Sequence, residues 1–240
     1  MKLLSEPLIS EESSCPYIEG RKSCFNYFFA LDVSAEELEI ILSRGWRKFG
    51  MYYFKPACSG CRQCIPIRVK ADELIPTRSQ RRVIKECRDV RVEFKDLEYR
   101  DEIFEIYKDH SLNRFGKDSN DEDFYSSFYT QSCPTMQSEY YIDGRLAGAG
   151  FIDISSKALS SIYFFYAGEF TKYSLGTFSA FKESEYALSL GLKYYYLGYY
   201  IENNSSMAYK NCFHTNEKMD WETGTWIDEK LFALSAHARE

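Results

Sequence analysis

The period of the apolar positions changes several times along the chain. Ser34-Ala35-Glu36-Glu37 has the form of a capping box, Leu38, Ile41 and Leu42 follow at helical spacing, and Gly45 closes the run, which predicts a first helix. Met51 to Phe54 and Ile65 to Val69 read as short strands on either side of a cysteine-bearing loop. Ser79 to Arg88 predicts a second helix and Val90 to Phe94 an alternating strand, while residues 1–14 read as a loose arm. A longer helix runs from about Glu98 to Leu112, with Ile103, Phe104, Ile106 and Tyr107 as its apolar positions, and the polar stretch Asn113 to Asp123, carrying Gly116, reads as a loop.

Asp143-Gly144 between two apolar runs is a two-residue hairpin signal, joining Tyr140–Ile142 to Leu146–Ile154. A third strand is expected at Ile162 to Tyr166. A helix follows at Gly176 to Leu190, with Phe178, Phe181 and Leu188 on one face. Gly191 stops it, and a further strand spans Tyr194 to Leu197. No internal repeat or low-complexity tract interrupts this order. The pattern implies an α+β fold in two parts, an N-terminal cysteine-rich unit over residues 1–95 and a second unit over 96–240.

With 240 residues, 45% of them hydrophobic, the chain is long and apolar enough to bury a core. A formal net charge of −6 argues against coating nucleic acid by bulk charge, so any RNA contact must come from a local basic patch. No apolar run approaches the roughly 20 residues that span a bilayer. Met1-Lys-Leu-Leu-Ser-Glu-Pro7 turns polar too soon for a secretory signal, so a cytoplasmic protein without a membrane partner is expected. The 20 tyrosines and 18 phenylalanines suit either a tyrosine-rich sheet core or a wet cleft for a polar or nucleotide ligand.

Six of the 8 cysteines fall between Cys15 and Cys87. Cys58, Cys61 and Cys64 stand at C-x2-C-x2-C spacing, where successive turns can aim sulfurs at one centre. Cys15 is the best candidate for a fourth ligand, with Cys24 and Cys87 as alternatives. The spacing does not separate zinc from an iron–sulfur cluster, and thiols without metal remain the other reading. Arg78, Arg81, Arg82, Lys85, Arg88 and Arg91 form the basic stretch. On a helix, Arg78, Arg81, Lys85 and Arg88 share a face. That face suits phosphate contacts, an inward arginine suits a carboxylate, and a solvated face paired with Glu86 and Asp89 is the plain alternative.

Several segments together carry a family resemblance. Cys15-Pro-Tyr-Ile-Glu-Gly-Arg21, Gly45-Trp-Arg-Lys-Phe-Gly50, Tyr53-Phe-Lys-Pro56, the cysteine triple, Ile65-Pro-Ile-Arg68 and Thr77-Arg-Ser-Gln-Arg-Arg82 resemble the first half of the arginyl-tRNA–protein transferase superfamily. Ser174-Leu-Gly176, Tyr196-Leu-Gly-Tyr-Tyr-Ile201 and Met207-Ala-Tyr-Lys210 resemble its second half. The short length and the cysteine triple are similar to the bacterial branch, the aspartate/glutamate leucyltransferases; the eukaryotic branch transfers arginine. Two departures stand out. Phe213-His214-Thr215-Asn216-Glu217 lacks the family's usual basic residue and proline, and Arg114-Phe115 stands where relatives often carry Arg-His.

The resemblance implies a GNAT-like acyltransferase domain after the small cysteine-containing one. It also implies transfer of leucine, or alternatively arginine, from aminoacyl-tRNA to proteins beginning with Asp or Glu, marking them for N-degron degradation. An ester is already activated, so the reaction needs positioning and charge stabilisation rather than a nucleophilic triad. Arg78 and Arg81 are the candidates to hold the acceptor's acidic side chain. Tyr199, Tyr200 and Tyr209 are candidates to stack on the terminal adenosine. Lys210, Tyr209, Ser174 and the helix start at Gly176 are candidates to meet the ester. Sheet packing for the tyrosines and a surface position for Lys210 are the structural alternatives. A leucyl group needs an apolar pocket and an arginyl group a buried acid. Coenzyme A is not expected: of the Gly-rich pyrophosphate turn of acetyl-CoA enzymes, Glu169–Gly176 keeps only Gly176.

Overall fold

The computed structural model describes residues 1–237. The N-terminal arm is not loose. Strands β1 (Lys2–Leu3) and β2 (Leu8–Ile9) pair with β5 (Phe25–Leu31), and β3 (Ser13–Ser14) pairs with β4 (Lys22–Ser23). Beyond β5 come α1 (Ala35–Ser43), β6 (Arg47–Phe49) and β7 (Tyr52–Pro56), with β5, β7 and β6 side by side. The capping box at Ser34 and Glu37 forms as the sequence implies, and Leu38, Ile41 and Leu42 are buried against Phe28 and Tyr53.

The large sheet has eight strands. Its members are β8 (Ile65–Lys70), β9 (Arg91–Lys95), β10 (Thr135–Ile142), β11 (Arg145–Ile154), β12 (Ala158–Tyr166), β13 (Tyr194–Tyr200), β14 (Asn216–Met219) and β15 (Trp226–Asp228). Their order is β15-β14-β8-β13-β12-β11-β10-β9. Strands β8 and β9, expected in the N-terminal unit, sit inside or at the edge of this sheet. The boundary drawn at residue 95 therefore cuts through one hydrogen-bonded sheet. Pairing partners far apart in sequence, Ile65 to Lys70 against Tyr194 to Tyr200, bring the halves together.

Helices cover both faces. On one lie α2 (Arg78–Glu86) and α5 (Leu175–Ser189), where Ile84, Ala180, Phe181 and Ala187 pack on Ile67, Val69, Ile152 and Leu159. On the other lie α3 (Asp101–Phe115) and α4 (Asp121–Phe128), where Ile103, Ile106, Phe124 and Phe128 pack on Phe151 and Phe165. Helix α4 begins inside the stretch expected to be a loop, because Asn120 caps it by accepting the Asp123 N–H at 2.7 Å and Phe124 and Phe128 recur at helical spacing. Gly116 ends α3 in the left-handed conformation, φ 62°. After β13 come α6 (Ser205–Ala208) and a 3-10 turn over Tyr209–Cys212, and α7 (Glu229–His237) closes the described chain. Among the described residues no helix is long and apolar enough to cross a membrane.

One buried ion pair ties the N-terminal sheet to the large one. Lys48 Nζ lies 3.1 Å from Asp153 Oδ1, and both side chains are almost wholly excluded from solvent. Burial alone would lower the Lys48 ammonium, but Asp153 and Cys133 together outweigh it, and the net shift is upward.

Candidate active site

Strands β12 and β13 run parallel, yet they pair only through Ala158–Tyr194, Leu159–Tyr195 and Ser160–Tyr196. Beyond that point they diverge, and the split leaves backbone carbonyls without strand partners. Two cations cover them. Arg47 Nη1 donates to Ser160 Oγ at 2.8 Å and its Nη2 donates to the Ser161 carbonyl. Lys210 Nζ donates to the Tyr199 carbonyl at 3.0 Å. Gly198 sits between them at φ +97°, and a Cβ there would approach Lys210 Nζ to 3.3 Å and Arg47 Nη2 to 3.7 Å. Glycine is what allows both cations to close on the split.

The split opens into a cavity of about 560 Å³. Ser161 to Phe164 and Leu197 to Tyr199 form its floor, Ser174 to Ala180 of α5 one wall, and Arg114 and Phe115 of α3 another. Tyr17, Phe49, Phe54, Met207 and Tyr209 close it. Helix α5 starts without a side-chain cap, and Ser174 is held in the left-handed region at φ 53°. Thr177 and Phe178 donate their N–H groups to the Ser174 carbonyl, which leaves those of Leu175 and Gly176 without a helical partner at a point that borders the cavity. A Cβ built on Gly176 would meet nothing within 4 Å, so this corner is open.

Lys210 is half-buried. Desolvation, with the Arg47 cation beside it, lowers its ammonium to about 7. Its Nζ lies 3.6 Å from Met207 Sδ, and no carboxylate pairs with it among the described residues. Arg114 is exposed at the rim, near the face of Phe115, also without an acidic partner among the described residues. Under the floor, Glu183 accepts from the Tyr195 hydroxyl at 2.7 Å, and burial raises that carboxyl to about 7.

Of the residues singled out from sequence, Lys210, Tyr209, Ser174, Gly176 and Tyr199 meet at this cavity. The Tyr199 hydroxyl is already spent on the Gly45 carbonyl at 2.8 Å, which leaves only its ring to offer. Tyr200 is not in the lining. A register shift between Tyr196 and Gly198 turns it into the core beside Phe213, with the Lys218 ammonium 5.1 Å from its ring. Arg78 and Arg81 are exposed on α2 and outside the lining, contrary to the expectation that they grip an acceptor carboxylate there. Arg47, Arg114, Ser161 and Tyr195 are cavity residues that the sequence reading gave no role. Arg47 lay within the Gly45–Gly50 block and Arg114 beside the noted departure at Phe115, but neither position shows its direction without the fold.

His110 borders the cavity, but its Nδ1 is engaged with the Tyr166 backbone, 3.2 Å from the carbonyl, and burial lowers its pKa. His214 lies outside the lining, with its Nδ1 3.6 Å from Glu229.

The cysteine loop lies close to the cavity mouth, since burial first and then Cys64 and Cys15 raise the Tyr17 hydroxyl. Burial, followed by Cys58, Cys61 and Cys15, pushes Cys64 up to about 12, so the four thiols expected to bind metal are electrostatic neighbours. They do not form a ligand set. Cys24 donates to the Ala57 carbonyl at 3.1 Å, Cys58 points to the Cys24 carbonyl at 3.5 Å, and Cys87 is far off, on the Tyr173 carbonyl at 3.2 Å. Among the described residues no three of His, Cys, Asp and Glu stand where they could hold a metal ion. The described geometry does not bring Cys15, Cys58, Cys61 and Cys64 together as the ligand set expected for zinc or iron–sulfur.

Residues 13–82 match the family described as arginine-tRNA-protein transferase, N terminus, and residues 102–220 match its C terminus. An aspartate/glutamate leucyltransferase of Helicobacter hepaticus is 31% identical over 218 residues, covering 85% of this chain and 88% of that protein. A protein of the same name from Campylobacter jejuni subsp. jejuni serotype O:6 is 32% identical over 213 residues, covering 86% and 89%. Among solved structures, FemX resembles the fold with a TM-score of 0.51 at 10% identity, over 73% of this chain and 64% of that one. With both family segments in order and relatives above 30% identity along most of their length, the chain is a transferase of the aspartate/glutamate leucyltransferase family.

Proposed function

We propose that the chain moves leucine from the 3′-terminal ester of leucyl-tRNA to the α-amino group of a protein that begins with Asp or Glu. The charge of the cavity carries this reading. Among the described residues its lining holds Arg47, Lys48, Arg114 and Lys210 and no Asp or Glu. Asp153 neutralises Lys48, which leaves the charges of Arg47, Arg114 and Lys210 without a carboxylate in the lining. A tRNA end and an acidic acceptor both supply the missing negative charge. An arginyl group would need an acid that the lining lacks, whereas Phe49, Phe54, Ile162 and Phe164 offer a leucyl side chain apolar surface.

In the reaction the neutral α-amine attacks the ester carbonyl, charge develops on its oxygen, and the ribose oxygen leaves with a proton as the amide forms. Lys210 spends one N–H on the Tyr199 carbonyl and one on Met207 Sδ, and its third can donate to that oxygen. The uncapped start of α5 meets phosphate oxygens, and the rings of Tyr209 and Tyr199 receive the terminal base. Arg114 pairs with the acceptor's side-chain carboxylate. The product bears an N-terminal leucine, the mark read in N-degron degradation.

A transfer assay tests the reading, with peptides beginning with Asp, Glu or Ala, each offered radiolabelled Leu-tRNA and Arg-tRNA. Leucine on the acidic peptides is expected. Arginine transfer would overturn the donor, and no transfer at all would overturn the reading. In the same assay, Arg114→Ala lowers kcat/KM for acidic peptides about 10–100-fold, the worth of a charge-assisted pair, and brings them level with the Ala peptide. Equal loss for all three peptides would remove Arg114 from acceptor selection.

A further inference from the structure

The cavity accounts for the tRNA end but not for the body of the nucleic acid, and it leaves the basic stretch of the sequence unused. That stretch forms α2, with Val83 and Ile84 turned to the core and Arg78, Arg81, Arg82 and Lys85 exposed. Elsewhere on this acidic surface several cations pair with nearby carboxylates, while others, such as Lys157 and Lys193, have no ion pair among the described residues. Lys70 pairs with Glu73, Lys108 with Glu105, Lys182 with Glu185, and Arg145 with Glu169. The first turn of helix α2 has no acid, and Arg78, Arg82 and Lys85 have no ion pair or hydrogen bond among the described residues. Arg81 bonds only the Pro76 carbonyl, and Arg88, just beyond the helix, meets Asp89.

Both ends of α2 are fastened to segments that form the cavity. The Gln80 side chain donates to the Cys212 carbonyl at 3.1 Å, closing the turn that carries Tyr209 and Lys210. The Cys87 thiol donates to the Tyr173 carbonyl at 3.2 Å, between the cavity residues Thr171 and Ser174. Beside this second anchor a groove of about 660 Å³ is lined by Arg82, Lys85, Arg88 and Tyr173 together with Glu86, Asp89 and Asp143.

We infer that the exposed face of α2 is the docking surface for the sugar–phosphate backbone of the tRNA acceptor stem. This rests on the reading that aminoacyl-tRNA is the donor. Arg78, Arg82 and Lys85 repeat at helical spacing, so their charges form a line that a phosphate chain can follow. Unpaired surface cations on a protein of net charge −6 cost folding little and hold their charge for a polyanion. The contact reads no bases and sets affinity and direction, with the 3′ end delivered to the cavity between the two anchors.

The test uses the full chain and a fluorescent tRNA acceptor-stem minihelix, titrated across a series of salt concentrations. The triple variant R78Q/R82Q/K85Q is expected to bind about tenfold or more weakly at low salt. Its slope of log K against log salt should fall by roughly 2, since each lost phosphate contact removes about 0.7–0.9. The control K108Q/K157Q/K193Q, which removes the same charge elsewhere, binds within about twofold of the unmutated chain. An unchanged slope in the α2 variant, or an equal loss in the control, would overturn the proposal. So would a rise in KM for acidic peptides with RNA binding intact. Failure of the unmutated chain to transfer leucine would instead strike the donor reading, so the two failures are distinguishable.

Discussion

Replacing Lys210 by Met will slow leucyl transfer about 100–1,000-fold under saturating Leu-tRNA, the loss typical of removing one donor to a developing oxyanion. The effect falls on kcat, because the interaction strengthens as the carbonyl oxygen gains charge. Single-turnover rates with a peptide beginning with Asp check it, and a rate within about threefold of the unmutated enzyme would remove Lys210 from the reaction. The pH dependence adds a second readout. The Lys210 ammonium, lowered to about 7 by burial and Arg47, is complete below that pH and is lost above it. The acceptor amine must be neutral, and it gains that form as pH rises through about 7.7–8.0. The profile of kcat/KM is therefore a narrow bell with its maximum between these values. Lys210→Arg keeps a cation at every pH used and removes the falling limb. A profile identical to that of the unmutated enzyme would show that another group titrates there.

The second large effect is on stability. Asp153→Ala leaves the Lys48 ammonium buried without its counter-ion, removes the acceptor at Asp153 for the Cys133 thiol, and leaves the Thr135 hydroxyl only the Cys133 carbonyl. Breaking one side of such a pair costs about 3–5 kcal/mol. For a chain of this length that is a fall in Tm of roughly 6–20 °C. The double variant K48M/D153L removes both charges together and should recover most of the loss, because the penalty lies in the unpaired ion and not in the missing attraction. Thermal unfolding of the two variants side by side decides this. A double variant no more stable than Asp153→Ala would show that the hydrogen bonds to Asp153, and not the buried charge, dominate.

Local chemistry explains where the sequence reading and the structure agree. The capping box at Ser34, the hairpin at Asp143-Gly144 and the glycines after α1 and α5 are decided by residues within one turn of the feature, and each is where the pattern put it. The misses have longer-range causes. Strand β5, Phe-Asn-Tyr-Phe-Phe-Ala-Leu, carries too continuous an apolar run for alternation to reveal it, and it is a strand because β1, β2 and β7 bond to it. Strand β14 is short and mostly polar and β15 has three residues; β14 adds to the edge of β8 and β15 to the edge of β14. The cysteine triple had ligand spacing, but spacing fixes only how sulfurs can approach one another, and the backbone around Cys24 and Cys58 turns their thiols to carbonyls.

By itself the sequence determined the family, through motifs spread from Cys15 to Lys210, and it determined most helices and turns, through caps, glycines and apolar spacing. It also marked Ser174, Gly176, Tyr209 and Lys210, because these lie inside those motifs. Only the tertiary structure decided that Arg47 and Lys210 face one another across the parting of β12 and β13, that Arg114 borders the same space, and that Arg78 and Arg81 point away from it. The reason is that a charged side chain looks the same in sequence whether it pairs, covers an orphaned carbonyl or stands in water. The choice among these is made by elements more than one hundred residues apart, Arg47 with Ser160 being one case, and no local pattern encodes their meeting.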